Sequence, residues 1–508
     1  MHLRPLLLVL VLPGVAGCVQ RLHRSVAPPD AIGTVDRKAP FLKVHLRDGG
    51  LYVLSPWTAD EAARRVTGTG KRYGADRQML EEGIFSVSLD SVALFETNVA
   101  RASPSVAGLS VITGITAGIA VYCATNPKAC FGSCPTFYVT DGARDVLQAE
   151  GFSASVAPSL EARDVDALFR ARPRGREVRV RMLNEAYETH VVRYANLLAV
   201  PRSPGRRVLA DPAGRFWSVT EPRPAARCLA PEGDCGPALA TFDERERWSE
   251  ADSTDLATRE TIDLEFDAPS GAPALVLASR QSLLPTYLLY QAFAYLGTSV
   301  GHWLAAFERA DRTTTLRAGA LVAALGGIDV LVRNAAGGWD SVATILETGP
   351  LAADVRLVPL PASGSPVRVR LRMAKGAWRL DAAGLAAVVE PVEPLRLAPA
   401  EVLAGGRPAP EARARLLDPD QALVTFPGDA YTLVYRLPGD AARYELFLET
   451  RGYYLEWMRE EWLAEENAGR AAQLFLDPAG ALRRLAPEFK RAEPGLEAAF
   501  WRSKYAGS

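Results

Sequence analysis

The chain has 508 residues, of which 48% are hydrophobic and 23% charged, and a formal net charge of −1. That length holds about two to four domains, the composition is that of a globular protein, and the near-zero charge gives no field suited to a nucleic-acid partner. Five histidines, one of them His2, leave little material for histidine catalysis or metal binding, and 36 prolines with 41 glycines favour many short strands over long helices.

Residues 1–17 read as a signal peptide. Arg4 supplies the positive start and Leu6 to Leu12 the apolar run, which is far shorter than the roughly 20 residues that span a bilayer. Val15-Ala16-Gly17-Cys18 resembles the bacterial lipobox. That resemblance implies lipid on the Cys18 thiol, a mature chain starting there, and, because Val19 stands where the inner-membrane-retaining aspartate would be, residence at the outer membrane. Residues 18–40, polar and proline-bearing, are expected to be a lipidated tether.

A small β module is expected over residues 41–103, starting with a hairpin around Asp48-Gly49-Gly50. The glycines of "GTGK" do not make a phosphate loop, since Arg72 follows Lys71 where Ser or Thr is required. Residues 104–124 form an apolar, small-residue stretch with Gly114 and Gly118 at close-packing spacing. It reads as a buried or membrane-adjacent helix, with a membrane span as the alternative.

Five cysteines remain once Cys18 carries lipid, and in an oxidising envelope disulfides persist. Cys130 and Cys134 flank a tight "FGS" turn, and Cys228 and Cys235 flank the turn-forming "LAPEGD". Both pairs are expected to be local staples, leaving Cys123 as the free thiol. A zinc site lacks a local histidine between His45 and His190, and a redox pair would more commonly read Cys-x-x-Cys.

Residues 125–400 are expected to form a β-sandwich-like domain. Asp141-Gly142 marks a hairpin, and "EVRVRMLNEAYETHVVRYANLLAV" gives two strands around Asn184. Val367, Val369, Leu371 and Met373 alternate as a half-buried antiparallel strand. A helical segment is expected over 281–326, with Pro285 near its start. Beyond it, "GGRPAPEARA" reads as a linker into a C-terminal α+β region, 401–508. There Tyr454, Met458 and Trp462 recur every four residues, as on an amphipathic helix. The fold class is therefore mainly β with helical additions (α+β).

The phrase around Cys134, Pro135, Tyr138, Asp141, Gly142, Glu150, Leu160, Glu161 and Asp164, continued by Asn184, Glu185, Glu188 and Thr189 and closing with "WRLD", resembles a β-rich domain of secreted bacterial lipoproteins. His190 stands where glutamine is more usual, and Ala162 interrupts the acidic-basic phrase. The resemblance spans about half of the chain and implies no particular activity.

No GxSxG, HExxH, phosphate-loop, dinucleotide or EF-hand pattern occurs. Glu185, Glu188 and His190 are the catalytic candidates. On a strand Glu188 and His190 share a face, and a carboxylate–histidine pair can move protons, although a structural hydrogen-bonding role is the favoured reading, since buried polar groups at a strand end must be paired. Arg179 and Arg181, and Arg368, Arg370 and Arg372, line one strand face each, as an anion-binding or simply solvated surface. Neither a metal nor a cofactor is expected. The expectation is a lipid-anchored, non-enzymatic envelope protein that binds protein or glycan, with a hydrolase of envelope glycan or peptide as the alternative.

Overall fold

The computed structural model describes residues 20–27, 29–39, 41–46, 51–73, 79–102, 134–153, 155, 161–186, 188–297, 324–346, 349–362, 364–425, 428–456 and 465–502. Cys18, Cys123, Cys130 and the apolar stretch 104–124 lie outside them. The fold is mainly β with a few helices, and the described residues form five sheets, lettered A to E below.

Sheet A has the spatial order Gln20–Ala27, Val92–Ala102, Leu42–Leu46, Leu51–Asp60, Arg65–Tyr73 and Met79–Ser88. Alternation sets its core: Leu42, Val44 and Leu46 are buried while Lys43 and His45 are not, and Leu54, Val66, Val87 and Phe95 join them. The stretch expected to be a tether is a correction. Gln20–Ala27 pairs antiparallel along Val92–Ala102, which would otherwise offer an open edge, and Pro29–Thr34 forms a 3-10 turn after it.

Sheets B, C and D lie in layers, and the sequence of the middle layer explains why. Along Glu188–Pro201, Leu197 and Ala199 enter the core shared with sheet B, whereas Leu198 and Val200 enter the core shared with sheet D. A strand buried on both faces must be apolar at every position rather than at every second one, as "LLAV" (197–200) is. Ala272–Gln281 in sheet D repeats the pattern: Ala274, Val276 and Ala278 face sheet C, while Leu275 and Leu277 face a third core. Each large side chain fully buried this way stabilises the fold by about 1.5–3 kcal/mol.

Sheet B runs Arg407–Pro408, Glu401–Ala404, Ala430–Arg436, Glu177–Leu183, Thr136–Thr140 and Asp145–Glu150. Sheet C runs Leu395–Leu397, Glu188–Pro201, Tyr444–Glu456 and Ala162–Ala167. Strands from 401–456 thus interleave with strands from 136–201, so the boundary expected at 400/401 cuts through both sheets. The expected linker is likewise ordered: a short hairpin over 401–408 leads into the Pro410–Leu417 helix. The expected amphipathic helix is corrected as well. Tyr444–Glu456 is a strand, paired with Glu188–Pro201 along its length. Leu446 and Leu448 face one core and Phe447 the other. A two-sided apolar run outweighs the four-residue recurrence that began at Tyr454; Met458 and Trp462 lie outside the described residues.

Sheet D is built from Phe216–Thr220, Arg206–Ala210, Asp354–Pro359, Ala272–Gln281 and Trp378–Val392. Phe216–Thr220 also pairs with the far half of Trp378–Val392, closing a small barrel. The third core joins sheet D to sheet E, which holds Arg259–Phe266, Val367–Ala374, Ile328–Arg333 and Trp339–Ile345, and to the helices Leu283–Leu296, Ala468–Leu476 and Pro478–Arg502. Leu283–Leu296 starts where expected. The Ser282 hydroxyl accepts from the Leu284 N–H at 3.0 Å, and Pro285 sits in the first turn, where its missing N–H costs nothing. No helix among the described residues is long and apolar enough to cross a membrane.

Candidate functional site

Asn184 ends the Glu177–Leu183 strand, and its side-chain amide donates to the carbonyls of Glu188 (3.0 Å) and Thr425 (3.1 Å), fixing the turn that launches Glu188–Pro201. On that strand Glu188 and His190 share a face, with the His190 ring Nε2 at 2.9 Å from the Glu188 carboxylate. Both side chains are sealed, at 0% exposure. The Tyr454 ring meets the His190 ring edge-on, and the Tyr454 hydroxyl donates to the Ser153 carbonyl at 2.9 Å. Glu185 lies apart from this pair, accepting from the Thr136 and Tyr138 hydroxyls at 2.8 Å each. The three candidates therefore make no common site: two hold a core together, and the third is engaged by sheet B.

The cysteine expectation is met where it can be seen. Cys228 and Cys235 are bonded, with Cα atoms 5.1 Å apart. Cys134 is buried ahead of the Thr136–Thr140 strand. The outward arginines form cross-strand ion pairs: Arg368 with Glu265 (2.9 Å), Arg370 with both oxygens of Asp263 (2.6 and 2.7 Å), and Arg372 with Asp329 (2.9 Å). Arg179 and Arg181 pair with Glu177 (2.7 Å) and Asp145 (3.4 Å). Pairing of this kind is what a solvated sheet face requires. Among the described residues no group of three His, Cys, Asp or Glu side chains is arranged to hold a metal ion.

A cleft of about 530 Å³ opens where the edge of sheet B meets the barrel. One wall is Asp145 to Gln148 with Tyr138 and Arg144, and the other is Phe242, Glu244 and Glu246 with Leu351 to Ala353; Arg170, Arg280, Arg379 and Asp381 complete the lining. Asp381 is there because of a β-bulge. Ala278 pairs with Ala382 and Ser279 with Leu380, leaving Asp381 as the extra residue of the long barrel strand. Its carboxylate accepts from the backbone N–H of Asp243 (2.9 Å) and of Glu244 (3.0 Å). That holds Glu244 in the left-handed region, φ 69°, which is unfavourable for a residue with a side chain. Burial pushes the Asp381 carboxyl up to about 6, with the Glu246 and Asp243 charges adding to it and the backbone donors opposing it.

The remaining charges of the cleft are mostly paired. Arg280 donates to both oxygens of Glu246 (2.5 and 2.7 Å) and to the Pro350 carbonyl (2.6 Å). Arg379 reaches Glu246 at 3.5 Å and stacks 4.6 Å over Trp248, itself 45% exposed. Arg170 pairs with Glu244. Reading the sequence for spacing missed this site, because its walls come from six separate segments. The one visible signal is Asp381, an acid heading the apolar run of "WRLDAAGLAAVV".

No family model and no curated protein matches the chain. Among solved structures, 69% of the chain aligns with 74% of a secreted serine protease, VesC from Vibrio cholerae, at 8% identity and a TM-score of 0.15. That likeness is too slight to carry a fold or an activity to this chain.

Proposed function

We infer that this is a non-enzymatic binding or assembly module of the bacterial envelope, tethered to the outer membrane through lipid on Cys18, with the cleft at the edge of sheet B as its ligand site. The observation that carries the reading is the contrast in access. The histidine–carboxylate pair is sealed from any substrate, whereas the cleft offers a ligand-sized space with charged walls fixed in advance by ion pairs and by Asp381. A partner protein or glycan would meet preorganised polar groups there, which limits the ordering cost of binding. The hydrolase alternative belongs to the same cleft, where burial raises the Asp381 carboxyl to about 6 beside the arginine-held Glu246.

The test is capture from detergent-solubilised envelope, comparing the native lipoprotein with Ala353→Trp, which fills the cleft from a half-buried wall position. Loss of a captured partner at unchanged melting temperature is expected. Capture of the same partner by both proteins, or release of cleaved glycan or peptide in place of capture, overturns the reading.

A further inference from the structure

A strand that borders a groove with one face contributes every second residue to it. Asp145, Val146, Leu147 and Gln148 are consecutive, and all four line the cleft. The cleft therefore runs along the edge of the Asp145–Glu150 strand, which is the terminal strand of sheet B. The hairpin fixes which backbone groups face it. Asp141 N–H donates to the Arg144 carbonyl at 3.0 Å, so antiparallel alternation turns the N–H and C=O of Asp145 away from the neighbouring strand, and those of Leu147, opposite Tyr138, likewise. The side chain of Gln148 confirms that phase: its Nε2 donates to the Leu147 carbonyl (3.1 Å), and its Oε1 accepts from the Arg170 N–H (2.8 Å). Gln148 closes the edge at that end. The open length is residues 145–147, about 10 Å at roughly 3.3 Å per residue.

The charge available to an occupant is positive. Asp145 pairs with Arg181, Glu244 with Arg170, Glu246 with Arg280 and Arg379, and Asp381 holds backbone N–H groups. The Arg144 guanidinium is exposed at the mouth, and its charge bears on Asp141, whose carboxylate is itself occupied by the Ala143 and Arg144 N–H groups. Resting on the reading of the cleft as the ligand site, we propose that it takes a short extended peptide of about three residues, added as a strand along 145–147, with an acidic side chain set against Arg144. Main-chain bonds to the Asp145 N–H and C=O and the Leu147 N–H supply register, and Arg144 supplies selectivity.

The experiment titrates the full chain with a fluorescent acetyl-Val-Glu-Val-amide peptide, its Lys-centred analogue, and a version N-methylated on the central backbone nitrogen. The Glu peptide is expected to bind at least tenfold tighter than either control. Arg144→Glu should invert the preference toward Lys at an unchanged melting temperature. Equal binding of the Glu and Lys peptides, undiminished binding of the N-methylated peptide, or no binding at millimolar concentration overturns the proposal. Failure here differs from failure of the module itself: envelope capture that Ala353→Trp abolishes and Arg144→Glu leaves intact removes the peptide and keeps the binding module, whereas empty capture by the native protein removes the module.

Discussion

Two polar sites in this protein look alike on paper and differ in kind. Glu188 and His190 are two residues apart on one strand and bonded at 2.9 Å, yet nothing outside can reach them. The cleft gathers Asp381, Glu246 and four arginines from distant segments and leaves them facing a space of about 530 Å³. Adjacency in sequence brings groups together cheaply and in this case serves packing. Assembly from many segments, with a bulge and a left-handed Glu244 in its wall, leaves charged groups facing open space instead.

The comparison breaks most visibly at the sealed pair. Glu188→Ala leaves a buried imidazole without its hydrogen-bond partner and should cost about 1–3 kcal/mol in chemical denaturation, while envelope capture by the protein that remains folded is retained. Lost capture with unchanged stability would put the pair in the site after all.

Asp381 should give a comparable effect, and one that depends on pH. Its folded-state value lies above its ordinary 3.8, at about 6, so its contribution to stability is fully present below pH 3.8 and is lost as the pH rises toward 6. At about 1.36 kcal/mol per unit the loss is roughly 2–3 kcal/mol. Asp381→Asn keeps an acceptor for the Asp243 and Glu244 N–H groups and should flatten that decline, read as the difference between the two stability–pH curves. Parallel curves would mean that the carboxyl is not held as described.

Removing the staple, whose cysteines line neither site, gives the scale for a purely structural change. Cys228→Ser with Cys235→Ser opens a loop of sequence separation 7 and should cost about 2–2.5 kcal/mol with peptide and envelope binding unaltered. Smallest of all is Arg370→Ala on the outer ladder of sheet E. Its pair with Asp263 is partly exposed, so about 0–1 kcal/mol is expected, shrinking further in high salt.

Much of the fold was legible because its signals are local. The Asp141-Gly142 hairpin, the strands on either side of Asn184, the alternating Val367 to Met373 strand and the Cys228–Cys235 turn each depend on residues within a few positions of one another. The misread parts depend on partners far along the chain. Tyr444–Glu456 is a strand because Glu188–Pro201 lies beside it and cores close over both its faces, and Gln20–Ala27 is one because Val92–Ala102 offers it an edge. The cleft was illegible for the same reason. Glu246 and Arg280 are 34 positions apart, and nothing in their spacing announces a bidentate pair.

Hydrogen exchange read by mass spectrometry on the full chain, with and without solubilised envelope fraction, separates the two sites in one measurement. Slower exchange at 145–148 and 242–246 on addition of the fraction, with 188–192 unchanged, is the expected result. Protection confined to 188–192, or a bound partner that leaves both cleft segments exchanging as before, would contradict the assignment of the cleft as the binding site.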